Sequence, residues 1–158
     1  MYILHKANNN SSEFVDFIIK EYDNILNQIK NDCFEKVIFQ SNDEKQIIEY
    51  VENKYHNKLE FLWTKFPTNA VFRRSDTNKW YAIMMIIPKS KLNLKGHGDI
   101  EVFDLRLEPE QIENLIDNEK YFPGYHMNKK YWYLICLNGS VEIDKIKSFI
   151  DESYILEK

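Results

Sequence analysis

The chain of 158 residues is long enough for one globular domain with a small appendage, and too short for two full domains. Apolar residues make up 44% and charged residues 29%, and no segment approaches the roughly 18 uninterrupted apolar residues that span a bilayer, so membrane insertion and wholesale disorder are excluded. The net charge of −4 argues against a protein whose whole surface binds a polyanion, but it leaves room for a local basic face.

The first predicted helix covers about residues 12–33. Asn10 and Glu13 resemble a capping box at its start. One face is apolar at helical spacing, in a row formed by Phe14, Ile18, Ile25 and Ile29. We expect this face to dock on the core of the same chain or on a second copy of the chain.

A second helix is predicted after Ser41, because Ser41 and Glu44 again fit a capping box. An apolar stripe follows, made of Ile47, Ile48, Val51 and Tyr55. We expect this helix to end near His56 and Asn57.

The next part of the chain contains segments rich in β-branched and aromatic residues, bounded by turn-forming residues. They predict four strands, around residues 71–72, 80–87, 100–107 and 131–137. Residues 75–78 form a turn cluster between the first two strands, and a loop ending in Gly98 leads to the third. An antiparallel meander is the simplest connection of these three strands.

Two further helices are predicted. Pro109 suits the first turn of one of them, which buries Ile112 and stops before Pro123. Ser140 is a suitable N-cap for the last helix, whose inward row includes Ile146 and Ile150.

Charge is distributed unevenly along the chain. Residues 64–106 contain eight cations and four anions, whereas the segments on either side carry −4 each. The predicted hairpins are therefore basic and the helical flanks acidic. This pattern fits a polyanion-binding sheet, and it equally fits charges scattered over a solvated surface.

The most distinctive stretch covers residues 123–132, where polar and charged side chains alternate with aromatic ones before a strand. Lys129 and Lys130 would bind phosphate as point charges, Asn128 would donate a hydrogen bond, and Tyr125 or Trp132 would stack on a base. The alternative is that the aromatic side chains belong to the core, Asn128 caps a turn and the lysines are solvated.

Catalytic and metal-binding patterns are weak. His126 is a candidate general acid or base, but no nucleophile or carboxylate is placed beside it by the sequence. Cys136 lies in an apolar run, where a buried thiol is commoner than a thiolate, and it forms no paired motif with Cys33. The histidines have no metal-ligand spacing. We expect a non-enzymatic protein without cofactor or metal.

A family resemblance is carried by a series of motifs. The chain resembles the MmcQ/YjbR family of small bacterial proteins, and its most specific motif is Gly-Tyr-His-Met-Asn-Lys at residues 124–129. The other matching segments are residues 63–67, 71–72, 79–82, 104–110, 130–132 and 151–154.

The resemblance covers residues 44–158 and implies an α+β fold of the frataxin-like (CyaY-like) type. It also implies DNA binding by a double-wing motif. Residues 1–43 fall outside it and are expected to form a helical extension. We therefore predict an antiparallel sheet of about four strands, with helices packed mainly on one face. The absence of a basic segment followed by a long apolar stretch at the start predicts a cytoplasmic location.

Three functions are compatible with these features. The first is DNA binding, in which the phosphate contacts come from Arg73, Arg74, Lys79, His126, Asn128, Lys129 and Lys130. The second is a protein-interaction adaptor that uses the N-terminal helix, as in a homodimer, or an aromatic groove. The third is a small-molecule site or enzyme around His126, which requires a pocket beside that side chain.

Overall fold

A computed structural model describes residues 12–33, 38–39 and 41–156. The chain forms two compact units, Met1–Val37 and Ile38–Lys158. None of the helices in the described ranges is long and apolar enough to cross a membrane. The division that we predicted between residues 43 and 44 stays a prediction.

The first unit contains helix α1, Ser12–Cys33, at the bounds that the sequence predicts. The apolar row of Phe14, Ile18, Ile25 and Ile29 is exposed along this helix. The predicted capping residue Asn10 lies outside the described residues. Docking of this row on a partner stays a prediction.

The second unit is built on an antiparallel sheet of five strands in the order β1-β2-β3-β5-β4. The strands are β1 Asn69–Arg73, β2 Trp80–Pro88, β3 Asp99–Arg106, β4 Tyr121–Pro123 and β5 Trp132–Cys136. The first three strands form the predicted meander. On the outer side of β1, Glu60 exchanges two backbone hydrogen bonds of 3.0 Å with Val71.

The sheet has one strand more than the four predicted. The additional strand is β4, whose three residues pair with β5 between Tyr121 and Pro123. Its shortness hides the period-two pattern, and proline is tolerated there because β4 lies at the edge of the sheet. The helix expected to run up to Pro123 is α3, Pro109–Leu115, which ends earlier.

One face of the sheet carries the helices, as predicted. Helix α2 covers Asn42–Tyr55 and helix α4 covers Ile143–Leu156. The predicted capping box of α2 is present, because Ser41 Oγ accepts from the Glu44 N–H and the Glu44 carboxylate accepts from the Ser41 N–H. Helix α4 begins three residues after Ser140, so the predicted cap at Ser140 is wrong. The core on this side includes Ile47, Val51, Phe72, Phe103, Phe149 and Ile150.

Polar contacts join α2 and α4 through Asp151. Its carboxylate accepts hydrogen bonds from Tyr50, Lys54 and Tyr55, the last at 2.6 Å. Although partial burial opposes the effect, these donors hold the pKa of Asp151 below its usual range. Ser153 joins α4 to the sheet, donating to the Tyr81 carbonyl and accepting from the backbone of β3.

The other face of the sheet is covered by loops. Its buried residues include Val71, Ile83, Met85, Val102, Phe122 and Leu134. Side chains from three connecting segments pack against them, namely Trp63, Leu92, Leu94, Tyr125 and Met127. This loop-covered face carries the residues that the sequence singles out between positions 123 and 132.

Candidate functional site

The turn after β4 is fixed against β5 by a glycine. Gly124 donates its N–H to the Trp132 carbonyl at 2.9 Å. A Cβ at position 124 would lie 2.7 Å from the Trp132 Cβ and 2.9 Å from its carbonyl oxygen. Only glycine lets the two backbones approach so closely. Residues 125–131 therefore start from a position set by β5.

Asp104 holds the next residue of the turn. It lies in β3 with no exposed surface, and its Oδ2 accepts a hydrogen bond of 3.0 Å from the Tyr125 N–H. Its Oδ1 has no hydrogen-bond partner in the described part of the chain. Burial raises the pKa of Asp104 well above its usual value, and the hydrogen bond from Tyr125 opposes this only in part.

The sequence reasoning missed this anchor. The signal was available, because Asp104 stands two residues after Val102 and so shares the face that Val102 buries. A carboxyl group at an inward position of a central strand needs a partner, and the structure supplies the backbone of Tyr125.

Asn128 closes the far end of the turn. Its carbonyl accepts from the N–H groups of Tyr131 and Trp132, and its side-chain Oδ1 accepts from the Lys130 N–H at 3.0 Å. The Asn128 side chain is thus a turn residue as well as a candidate donor. Lys129 and Lys130 are exposed, and the Lys130 ammonium lies 5.4 Å from the centre of the Tyr131 ring.

His126 is exposed at the top of the turn. Its φ of 58° places it in the left-handed region, and its ring lies 4.1 Å from the ring of Tyr125. Trp132, by contrast, is only 3% exposed and belongs to the packed face. Of the two aromatic residues considered for base stacking, only Tyr125 is accessible.

A cavity of about 570 Å³ lies beside this turn, and we call it the basic cavity. Its polar and charged lining comes from Lys91, Asn93, Asn118, His126 and Lys129, together with Tyr125. No carboxylate is present among the described residues that line it. The cavity therefore concentrates positive charge in a chain that is acidic overall.

A second cavity of about 600 Å³ lies on the other side of the turn, and we call it the aromatic cleft. Trp63, Phe66 and Trp80 line it, and the two indole rings meet edge to face, with centroids 5.5 Å apart at 85°. Tyr125, His126 and Met127 line both cavities, so residues 125–127 form the wall between them.

The two arginines of the first hairpin lie on opposite faces of the sheet. Arg73 is on the loop-covered face, where it pairs with Glu60 at 3.1 Å and lies 6.0 Å from the Trp80 ring centre. Arg74 is 7% exposed and turns toward α4, where it donates to the Tyr154 carbonyl and stacks on that ring.

Arg74 also forms an ion pair with Asp76. Its guanidinium donates two hydrogen bonds to the carboxylate of Asp76, at 2.8 and 2.6 Å, and these lower the pKa of Asp76 to about 2. Lys79, at the other end of the same turn, is exposed, and its carbonyl accepts from the Arg74 N–H. The structure thus separates Arg74 from the other predicted binding residues.

Cys136, the only nucleophile considered from the sequence, is buried in β5. Burial raises the pKa of its thiol to about 11, so the thiolate is disfavoured at neutral pH.

Comparison with known proteins assigns the chain to a family. A family model described as YjbR matches residues 37–156. The uncharacterized protein YyaQ from Bacillus subtilis (strain 168) is 34% identical over 114 residues, which are 72% of this chain and 97% of YyaQ.

Solved structures agree with the fold. A crystal structure of a protein from Pseudomonas syringae has a TM-score of 0.70 and 39% identity, and covers 75% of this chain and all of that one. The crystal structure of Deinococcus radiodurans protein DR2400 has a TM-score of 0.56 at 21% identity, over 77% of this chain and 81% of that one, and supports the fold alone. With an α+β sheet of the expected form and the matches to the family model and to YyaQ, this chain belongs to the YjbR family.

Proposed function

We propose that this chain is a non-enzymatic DNA-binding protein that holds backbone phosphates at the basic cavity. The observation that carries the proposal is the lining of that cavity. Two lysines, a histidine and two asparagines surround it, without a carboxylate among the described lining residues. A concave site of one sign of charge attracts an anion even when the net charge of the protein is negative.

The chemistry of the lining suits phosphate. Lys91, in the short 3-10 helix Lys89–Leu92, and Lys129, in the turn after β4, line the same cavity as point charges. Asn93 offers amide N–H donors, and a protonated His126 would offer further N–H donors. Phosphate oxygens accept from such groups in most protein–DNA contacts.

The remaining predicted residues extend this site. Asn128 and Lys130 belong to the same turn as Lys129, and Lys130 is exposed. Arg73 and Lys79 belong to the hairpin that carries Trp80, a wall of the neighbouring aromatic cleft. Arg74 is left out of the proposed interface, because its guanidinium holds Asp76 and α4.

The test is the salt dependence of DNA binding by the double variant Lys91→Ala, Lys129→Ala. Fluorescence anisotropy of a labelled duplex should show weaker binding than the wild type. The log–log slope against salt should fall by about 0.9 for each lost phosphate contact, because fewer counterions are released.

Lys45→Ala is the matched control, since Lys45 is exposed on α2, on the helical face of the sheet. It should leave both the affinity and the slope unchanged. Absence of salt-sensitive binding by the wild type at low ionic strength would refute the proposal.

A second candidate function is association with a protein through α1, with a second copy of the chain as the simplest partner. The observation that favours it is the exposed apolar row of Phe14, Ile18, Ile25 and Ile29. Apolar rows of this kind are buried at helix–helix interfaces.

A further inference from the structure

We infer that the aromatic cleft accepts an unpaired base, so that the ligand is single-stranded nucleic acid with a phosphate in the adjoining basic cavity. This inference rests on the proposed function and names the form of nucleic acid that the site takes.

The aromatic cleft has the walls of a base-stacking site. Trp63, Phe66 and Trp80 supply aromatic surface, and Trp63 and Trp80 are only partly buried. Phe66 is 59% exposed, so its ring contributes apolar surface to the cleft and is not buried in the core. Planar bases stack on such side chains regardless of their sequence. The volume of about 600 Å³ falls within the range usual for ligand sites.

Polar side chains also line the cleft. Thr68 and Asn69, at the start of β1, line it together with the aromatic residues. A carboxamide carries both a donor and an acceptor, which is the combination that the hydrogen-bonding edge of a base requires. The cleft therefore matches a base on its faces and on its edge.

The two cavities differ from each other in the same way as the base and the phosphate of a nucleotide. Residues 125–127 separate an apolar compartment from one lined by Lys91 and Lys129. A nucleotide likewise joins a flat, largely apolar base to an anionic phosphate across one sugar. A sheet-covering loop with a basic side and an aromatic side fits such a ligand better than it fits a uniformly apolar one.

Duplex DNA cannot place a base in this cleft without unpairing it. In a duplex the faces of each base are stacked on their neighbours, and only the groove edges are open. Single strands expose both faces and edges. Occupation of the aromatic cleft therefore selects single strands, while the basic cavity alone would bind any phosphate backbone.

The experiment compares three labelled probes of equal length, about 12 nucleotides, within the site sizes common for single-strand binders. They are oligothymidine, a fully abasic strand, and a duplex. At one salt concentration the wild type should bind oligothymidine at least about tenfold more tightly than either of the others, since one stacked base accounts for such a factor.

Phe66→Ala should remove about tenfold of the affinity for oligothymidine and leave the affinity for the abasic strand unchanged. Phe61→Ala is the matched control, because Phe61 is 48% exposed in the same segment and lies outside the cleft lining. As a second readout in the unmodified protein, tryptophan fluorescence should be quenched by oligothymidine and not by the abasic strand.

Equal, salt-dependent binding of all three probes, unchanged by Phe66→Ala and without quenching, would overturn this inference and leave the proposed function standing. Absence of salt-dependent binding to every probe would overturn both.

Discussion

Asp104 is a carboxylic acid enclosed in the middle of a sheet. Its neighbours across the strands are Ile83 and Leu134, and its Oδ2 accepts a hydrogen bond from the Tyr125 N–H, in the turn that separates the two cavities. We regard it as a positioning residue for Tyr125, because its side chain lines neither cavity.

Two substitutions of Asp104 distinguish its hydrogen bond to Tyr125 from its ionisable carboxyl group. Asp104→Ala should lower the free energy of unfolding by about 1–3 kcal/mol, since the partly buried Tyr125 N–H loses its acceptor. Asp104→Asn keeps an acceptor oxygen and should stay close to the wild type in urea denaturation at neutral pH. Equal losses in both variants would show that the hydrogen bond to Tyr125 contributes nothing.

Gly124 is a second residue that fixes the turn, because it has no side chain. Because a Cβ there would meet the backbone of Trp132, the position of the turn is tied to β5. The sequence indicated a helix breaker at Pro123–Gly124, but it could not show which strand the glycine approaches, since that contact depends on tertiary packing.

At the scale of elements, an acidic side chain at the start of α2, Glu44, interacts with an acidic side chain of β3, Glu101. Burial raises the pKa of Glu44 to about 7, the Ser41 hydrogen bonds oppose this, and the negative charge of Glu101 in β3 adds to it. Glu44 therefore binds a proton in the folded chain at a pH where it would be ionised after unfolding.

This shift makes stability depend on pH. A carboxyl group whose pKa rises from 4.5 to about 7 on folding stabilises the fold below pH 4.5, and that contribution is lost as the pH rises through 7. Glu44→Gln retains a residue suited to the capping box and removes the titration. At pH 8 the free energy of unfolding of Glu44→Gln should exceed that of the wild type by about 3 kcal/mol, and this difference should vanish near pH 4.5.

Glu49→Gln, at an exposed position of the same helix, is the control and should change stability little at any pH. A constant difference between Glu44→Gln and the wild type from pH 4.5 to 8 would contradict the assigned cause.

At the scale of the whole molecule, the N-terminal limit of the folding unit can be tested. Phe39 is buried in the helical-side core and Ser41 caps α2. A fragment of residues 38–158 should therefore unfold cooperatively near the midpoint of the full chain, whereas residues 44–158 should be less stable by at least about 2 kcal/mol, through loss of the cap and of Phe39.

Comparison of residues 38–158 with the full chain separates the two candidate functions. If α1 mediates association, residues 38–158 should be monomeric in sedimentation measurements at concentrations where the full chain associates. DNA affinity should be unchanged, because both cavities lie within residues 38–158. A fragment that associates like the full chain would exclude α1 as the interface.

Apolar periodicity predicted the bounds of α1, and a capping box predicted the start of α2, because both are local signals. Sequence patterns also predicted the order of the first three strands. They missed β4, whose three residues are too few for a periodic pattern. For the candidate site they identified the turn at residues 124–130 but treated Arg73 and Arg74 as one basic patch, although neighbouring residues of a strand project to opposite faces.

The sequence suggested an aromatic groove without indicating which residues would form it. Trp63 and Trp80 come from segments that meet only through the packing of the sheet and its loops. Lys91, which lines the basic cavity, gave no local signal beyond its charge. Both cavities result from the convergence of loops, and no single segment of the sequence encodes them.

The two edges of the sheet influence whether separate molecules associate at high concentration. On the side of β1, Glu60 already occupies backbone groups of Val71, and the opposite edge is a three-residue strand that ends in proline. Both features reduce the length of edge that a strand of another chain could pair with, so edge-to-edge association of sheets from separate molecules is disfavoured. A strongly aromatic and apolar sheet is thereby protected from aggregating through its own strands.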